Sequence, residues 1–266
     1  MSRVSGTGTP TGTVQFNIDG ANIGGVLALN AQGRATFATS SLSAGSHNVI
    51  ATYSGSAVFA GGGSATFVQA VNAAATTLVM TSAPNPPTIF GQSVTFTARV
   101  TSNAGTGTVQ FQLDGSNIGG PVIPNATGRA TFVTSTLTVG THTVSATFSG
   151  TGNYLSSTSN LFSHVVNNAA SRTIVRTSGT PANVGTNVVF TATVTAVAPG
   201  IGLPAGSVQF VIDNVSVGGP VTLNPSGQAA FAISTLPIGL HTVRAIYAGN
   251  GNFNASTSAN INQRIR

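Results

Sequence analysis

Apolar and polar side chains alternate in short segments throughout this chain. In residues 93–100 (SVTFTARV) every second side chain is apolar, and residues 188–194 repeat the same period of two. Such alternation is typical of β-strands that bury one face. Clusters of Gly, Asn, Pro and Ser separate the alternating segments, and no segment has a helical period. The pattern therefore predicts an all-β protein built from short strands.

One pattern occurs three times along the chain. GTVQFNIDGANIGG at 12–25 returns with few changes at 107–120 and 206–219. A second block follows each copy without internal gaps, at 33–55, 128–150 and 227–249. The offset is 95 residues between the first two copies and 99 between the last two. Collinear copies of this length indicate that each is one structural unit.

We place the unit boundaries at 1–72, 73–167 and 168–266. Seven alternating segments in about 95 residues predict an antiparallel two-sheet sandwich of immunoglobulin type, with strands A, B, C, C′, E, F and G. The repeated motif resembles the bacterial Ig-like domains found in tandem in large surface and secreted proteins. It consists of GTVQF, then DG and IGG, and then G-x-H-x-V. The resemblance covers nearly the whole chain. It implies tandem immunoglobulin-like β-sandwiches that serve as spacers, stalks or adhesive modules.

The first copy is expected to be truncated, because residues 2–4 align with 98–100 at the end of strand B. It would then contain strands C to G and lack A and most of B. One interpretation is that the sequence is a fragment of a longer repeat protein. The other is that another chain or segment supplies the missing strands, as in donor-strand complementation. We expect its exposed core to be the main assembly surface, through Val14, Phe16, Phe37, Val49 and Tyr53.

The amino-acid composition excludes several kinds of catalytic and metal-binding site. Charged residues make up 5% of the chain, as nine Arg and three Asp with no Lys, Glu or Cys; an ordinary soluble chain has about 25%. Disulfides, thiolate metal sites and Lys or Glu catalysis are excluded. Three Asp cannot surround a calcium ion in the usual way. We expect no catalytic residue, no metal and no cofactor.

The net charge of +6 comes from Arg residues spread over three units. Affinity for a phosphate backbone grows with the number of contacts, so this distribution does not favour a nucleic-acid partner. The apolar stretches are too short to span a membrane, and the first ten residues have no apolar signal-peptide core. Because only 5% of the residues are charged, the polar surface must consist mainly of hydroxyl groups, amides and backbone.

Two polar positions recur in every copy. One is an Asp in the turn after strand C and the other is a His that opens strand F: Asp19, Asp114 and Asp213; His47, His142 and His241. Because the start of F lies at the same end as the C–C′ turn, we expect an Asp–His hydrogen bond that braces each unit. A Ser-His-Asp catalytic site is the alternative, but a site copied into every unit favours a scaffold role. His164 is replaced by Gln69 and Gln263 in the other copies, which does not favour metal binding.

We expect a non-enzymatic structural, spacer or adhesive segment of an extracellular or cell-surface assembly. The first alternative is a self-assembling fibre or surface-layer subunit, since a nearly uncharged surface offers little repulsion against association. The second is an adhesin module that binds a glycan or a protein. The expected partners are other copies of the chain or flanking Ig-like repeats, with a host or matrix surface as a further candidate.

Overall fold

The computed structural model describes residues 8–101 and 107–266. Every regular element in these ranges is a β-strand, and the strands form three successive units. The all-β, tandem Ig-like architecture predicted from the sequence is confirmed. Residues 2–4, which we align with the end of strand B, lie outside the described residues.

The first unit forms a single antiparallel sheet within the described residues. Its strands lie in the order β2-β1-β3-β4, and β5 also pairs with β3. The bounds are β1 (Thr13–Ile18), β2 (Ala21–Ala28), β3 (Gly45–Tyr53), β4 (Gly62–Gly63) and β5 (Phe67–Val71). These correspond to C, C′, F and G, with the two-residue β4 beside F.

Strand E of the first unit departs from expectation. Residues 34–39 form no strand, although the corresponding segments of the other two units do. In those units E pairs with strand B. No strand B is present among the described residues of the first unit, so this backbone has no partner to fix it in a ladder.

The second unit is a complete two-sheet sandwich. One sheet has the order β11-β8-β6 and the other β10-β9-β12-β14-β7, with β13 beside β12. The first holds strands A, B and E and the second C′, C, F and G. The bounds are β6 (Thr77–Ala83), β7 (Thr88–Ile89), β8 (Val94–Thr101), β9 (Val109–Leu113), β10 (Ser116–Val122), β11 (Arg129–Thr134), β12 (Gly140–Phe148), β13 (Ser157–Thr158) and β14 (Phe162–Asn167).

The third unit repeats this arrangement. Its sheets have the orders β15-β16-β19 and β18-β17-β20-β21, and β22 also pairs with β20. The bounds are β15 (Ser171–Thr177), β16 (Val188–Ala196), β17 (Ser207–Ile212), β18 (Val215–Thr222), β19 (Gln228–Ile233), β20 (Gly239–Tyr247), β21 (Ser256–Thr257) and β22 (Ile261–Ile265). The two-residue strands are additions to the seven that alternation predicts, because two residues are too few to show a period.

Aromatic side chains join the two layers of each complete sandwich. Phe111 on β9 and Phe210 on β17 are fully buried. Phe111 packs against Phe132 with ring centroids 6.1 Å apart, and Phe210 packs against Phe231 at 5.7 Å. With no cysteine in the chain, apolar packing of this kind holds the sheets together.

The second and third units meet through Phe90, which follows β7. Its side chain packs against the apolar cores of both units, and its ring lies edge-on to Phe253 with centroids 5.5 Å apart. The Ile201 N–H donates to the Phe90 carbonyl at 3.4 Å. Gly91 has φ +79°, and a Cβ there would lie 2.2 Å from the Ile201 carbonyl oxygen. Glycine is therefore required for this close approach.

The first and second units also touch. The Ala44 N–H, in the turn before β3, donates to Asn153 Oδ1 at 2.7 Å. Asn153 precedes Tyr154, which occupies the position that Phe253 has in the third unit. Both junctions thus join an end of one unit to the loop after strand F of the next.

Candidate functional sites

The turn after strand C places an Asp in the same backbone conformation in every unit. Asp19, Asp114 and Asp213 have φ of 54°, 49° and 49°, in the left-handed region. The next residue also has positive φ in each case, and it is Gly20, Gly115 or Asn214. Two successive left-handed residues make a type I′ hairpin turn, for which Asp-Gly is a preferred sequence. The turn directs each carboxylate towards the first residues of strand F.

Each carboxylate contacts a histidine at the start of strand F. The distance from Asp Oδ2 to His Nδ1 is 2.7 Å for Asp19–His47, 2.8 Å for Asp114–His142 and 2.6 Å for Asp213–His241. The other carboxylate oxygen accepts the backbone N–H of the residue after the histidine, at 2.8 Å in all three units. The structure therefore pairs the recurrent Asp and His within each unit, as Asp19–His47, Asp114–His142 and Asp213–His241.

The second ring nitrogen of each histidine is also engaged. Nε2 lies 2.8 Å from the carbonyl oxygen of Ser43 in the first unit, 2.9 Å from that of Thr138 in the second and 2.8 Å from that of Pro237 in the third. An ionised carboxylate and a carbonyl oxygen can only accept, so both ring nitrogens must donate to satisfy both contacts. This geometry favours the imidazolium form.

The pKa values follow from these bonds. In each pair the hydrogen bond from histidine, followed by the backbone N–H, lowers the pKa of the aspartate. The hydrogen bond to aspartate, followed by the backbone carbonyl, raises the pKa of His47 and of His241. For His142 burial is the largest influence and acts downward, but the bonds to Asp114 and Thr138 together outweigh it and the pKa is raised. Each unit thus favours an ion pair at this position.

This arrangement does not provide the geometry of a catalytic triad. In a triad the second histidine nitrogen faces a nucleophilic hydroxyl, whereas here its nearest partner is a backbone carbonyl in every unit. In the second unit Thr138 Oγ1 also lies 3.3 Å from His142 Nε2, but the Thr138 carbonyl oxygen is closer, at 2.9 Å. An imidazolium with both protons engaged cannot act as a general base. We propose that the six residues are structural braces that tie the C–C′ turn to strand F.

A glutamine that the sequence reasoning did not single out has a related role. Gln15, Gln110 and Gln209 each donate from Nε2 to a neighbouring phenylalanine carbonyl and to the opposite strand. In each unit this contact lies where the register between C and C′ shifts. The glutamine could have been noticed because it is present in all three copies of the motif, GTVQF twice and GSVQF once. The sequence alone did not show which carbonyl groups it contacts.

The strand-G position of His164 differs between units in its burial. His164 and Gln263 are both fully buried, whereas Gln69 is exposed. His164 Nε2 lies 2.8 Å from Thr88 Oγ1, and its Nδ1 has no hydrogen-bond partner. Burial, then the charge of His142, lowers the pKa of His164. Within the described residues no group of three or more His or Asp side chains could hold a metal ion.

The face of the first unit that we expected to be exposed contains a groove of about 510 Å³. Phe16, Phe37 and Val49 line it as expected. Val14 corrects that expectation because it is buried, and Tyr53 is partly buried and is not among the residues that line the groove. Val14 is only 2% exposed, and Tyr53 donates its hydroxyl proton to the Thr11 carbonyl.

Phe67 on β5 is a groove residue that the sequence reasoning missed. It is 62% exposed. Its counterpart in the second unit, Phe162, is partly buried against Phe96 of strand B. The alignment could have identified Phe67, because Phe162 occupies the same strand-G position.

The family is shown by a match to nearly the whole chain. Residues 2–72, 80–167 and 175–266 each match the bacterial Ig-like domain (group 3) family. The chain belongs to that family. It is a tandem array of three bacterial Ig-like repeats, as the sequence motif predicts. No curated protein matches the chain.

Several solved structures resemble this Ig-like array. A tetra-tandem repeat in the extending region of a large adhesion protein is 18% identical, with a TM-score of 0.46 over 97% of this chain and 68% of that one. A Ca²⁺-stabilized adhesin of an Antarctic bacterium is 15% identical, with a TM-score of 0.30 and coverage of 98% and 66%. Fibronectin(III)-like modules of Clostridium thermocellum CbhA are 16% identical, with a TM-score of 0.27 and coverage of 70% and 93%.

The part of the chain that the structure describes contains no helix of the length and apolar character needed to cross a membrane.

Proposed function

We propose that this chain is a non-enzymatic spacer or adhesive stalk segment of an extracellular or cell-surface assembly. The observation that carries the proposal is the Asp–His pair, which is the same in all three units and is satisfied internally in each. A binding or catalytic site needs polar groups free to meet a ligand. Here the recurrent polar groups face one another and the backbone, as expected of a scaffold.

The unit junctions support the same proposal. Phe90 contributes to the cores of two neighbouring units, and Asn153 bonds to the turn of the preceding one. Packed junctions restrict bending, and restricted bending lets a tandem array hold two points apart. Membership in a family of tandem Ig-like repeats agrees with this role.

Small-angle X-ray scattering of the full chain tests the spacer proposal. Strands of eight to nine residues span about 30 Å, so three units in line should give a maximum dimension on the order of 100 Å with a narrow size distribution. A globular particle or a broad, freely jointed distribution would contradict a spacer. A glycan array measured in parallel distinguishes a spacer from an adhesive stalk, since reproducible glycan binding would favour the adhesive stalk.

A further inference from the structure

The buried histidine of the second unit contacts the strand that leads to the junction with the third unit. His164 is fully buried on β14, and its Nε2 lies 2.8 Å from Thr88 Oγ1. Thr88 is the first residue of β7, a strand of only two residues that pairs in parallel with β14. The contact between His164 and Thr88 therefore ties β7 to β14 through side chains as well as backbone.

β7 and the residue after it form the second unit's side of that junction. Ile89 and Phe90 both pack against the core of the third unit. The Phe90 N–H donates to the Asn167 carbonyl of β14 at 2.8 Å, and the Phe90 carbonyl accepts the Ile201 N–H of the third unit at 3.4 Å. Release of β7 from β14 would therefore also withdraw Ile89 and Phe90 from the third unit.

The surroundings of His164 fit a neutral imidazole and not a charged one. The Thr88 hydroxyl is a partner for Nε2, but Nδ1 has no hydrogen-bond partner. An imidazolium has two N–H donors, so protonation would leave one of them unsatisfied in a fully buried position, which costs free energy. The ring of Phe96 lies edge-on to the imidazole with centroids 5.2 Å apart and offers no acceptor oxygen.

The titratable groups around His164 also oppose its protonation. His142 on β12 lies directly opposite His164. Asp114 is the only acidic residue of the second unit, and it is already bonded to His142. Arg99 of β8 is exposed, whereas Phe96 of that strand contacts the ring, and β6, β7 and β14 carry no Asp, Glu, Lys or Arg. Burial, then the charge of His142, lowers the pKa of His164 below 6.5.

We propose that His164 is a pH-sensitive switch at this junction, whose protonation releases β7 from β14 and frees the second unit to move relative to the third. The equivalent position of the third unit holds Gln263, which accepts from Thr177 and does not titrate. In the first unit it holds the exposed Gln69. The switch therefore belongs to one junction of the chain. It goes beyond the spacer role and does not rest on it.

Hydrogen–deuterium exchange of the full chain, resolved by NMR at pH 7.5 and pH 5, tests the proposal. The readouts are the Phe90 N–H, bonded to Asn167, and the Ile201 N–H, bonded to Phe90. After correction for intrinsic exchange rates, both should lose protection at pH 5, by up to about 30-fold more in the parent chain than in His164→Gln. The reason is that a released histidine with a pKa of 6.5 favours opening by about tenfold for each pH unit below that value.

Two other amides are internal controls. The Ala182 N–H donates to the Arg264 carbonyl beside Gln263 in the third unit, and its protection should respond to pH equally in both proteins. The amide of the fully buried Val144 on β12 should stay better protected than that of Phe90 at pH 5, because release of β7 leaves the rest of the sandwich folded. Comparing Phe90 with Ala182 inside the parent chain gives the same test without any substitution.

Three results would overturn the proposal. The first is an equal pH response of Phe90 in the parent and in His164→Gln, or of Phe90 and Ala182 within the parent. The second is protection of Ile201 that stays constant while that of Phe90 falls, because the junction would then remain closed. The third is equal protection of Phe90 and Val144 at pH 5, because the whole second unit would then be unfolding.

Discussion

At the scale of single residues, the Asp–His pairs should make the protein most stable in a mildly acidic window. The pKa of each aspartate is lowered from 3.8, so its contribution is present above that value and is lost as the pH falls through the lowered pKa. The pKa of each histidine is raised from 6.5, so its contribution is complete below that value and is lost as the pH rises through the raised pKa.

Titration of the histidine ring resonances by NMR checks this prediction. We expect His47, His142 and His241 to titrate above 6.5, because each histidine donates to both a carboxylate and a carbonyl. In the Asp213→Asn variant the pKa of His241 should fall while that of His47 stays unchanged. An unshifted His241 in both proteins would contradict the ion-pair assignment.

His164 should have the opposite pH dependence. It is fully buried with one unpartnered nitrogen, it contacts Thr88, and the charge of His142 on the neighbouring strand opposes its protonation. Its pKa is lowered from 6.5, so the second unit should lose stability as the pH falls below 6.5, by at most about 1.4 kcal/mol per pH unit. Gln263 fills this position in the third unit, so His164→Gln is a natural replacement.

Thermal unfolding at pH 7.5 and pH 5 compares the two proteins. The Asp–His pairs favour pH 5 equally in both proteins, so the effect of His164 appears in the difference between them. Relative to His164→Gln, the melting temperature of the parent chain should be lower at pH 5 than at pH 7.5. If both proteins respond equally to pH, another group controls the acid sensitivity.

At the scale of strands, packing between the two sheets should contribute more than the brace. Phe111 is fully buried against Phe132, so Phe111→Ala should lower the free energy of unfolding by about 3–5 kcal/mol. His142→Ala removes side-chain hydrogen bonds and should cost about 1–2 kcal/mol. Phe16→Ala is the matched control, because Phe16 is only partly buried and its loss should cost less than that of Phe111.

Denaturant unfolding of the three variants measures the free energy of unfolding that each substitution removes. Equal and negligible effects of Phe111→Ala and His142→Ala would show that the strand assignment of the second unit is wrong.

At the scale of the whole molecule, Phe90 should limit the angle between the second and third units. Its ring lies between two cores, so Phe90→Ala removes the packing that fixes the junction and should broaden the distribution of angles. Val184 occupies the equivalent place in the third unit and is 58% exposed. Val184→Ala should therefore leave this junction unchanged.

Distances between spin labels on the two units, measured by pulsed electron resonance, check this prediction. The chain contains no cysteine, so two introduced cysteines label it uniquely. We expect a narrow distance distribution for the parent and Val184→Ala, and a broader one for Phe90→Ala. A broad distribution in the parent would show that the junction is free without any substitution.

The sequence by itself determined the features that depend on near neighbours in the chain. Alternation predicted the strands, the repeat predicted three equivalent units, and Asp-Gly predicted the turn after strand C, because backbone sterics and side-chain period act within a few residues. The proximity of Asp114 and His142 also followed, since the antiparallel order of C and F brings the turn to the start of F.

Only the tertiary structure decided the features that depend on which strand or unit packs over a given side chain. The same strand-G position is buried as His164 and exposed as Gln69, and the same strand-C phenylalanine is buried as Phe111 and partly buried as Phe16. The position of Phe90 holds Val184 in the third unit and is therefore not a repeated aromatic position, so the role of Phe90 appeared only from its contacts with the third unit. Burial is a property of the whole packing arrangement, and identical local sequences cannot encode the presence or absence of a covering strand.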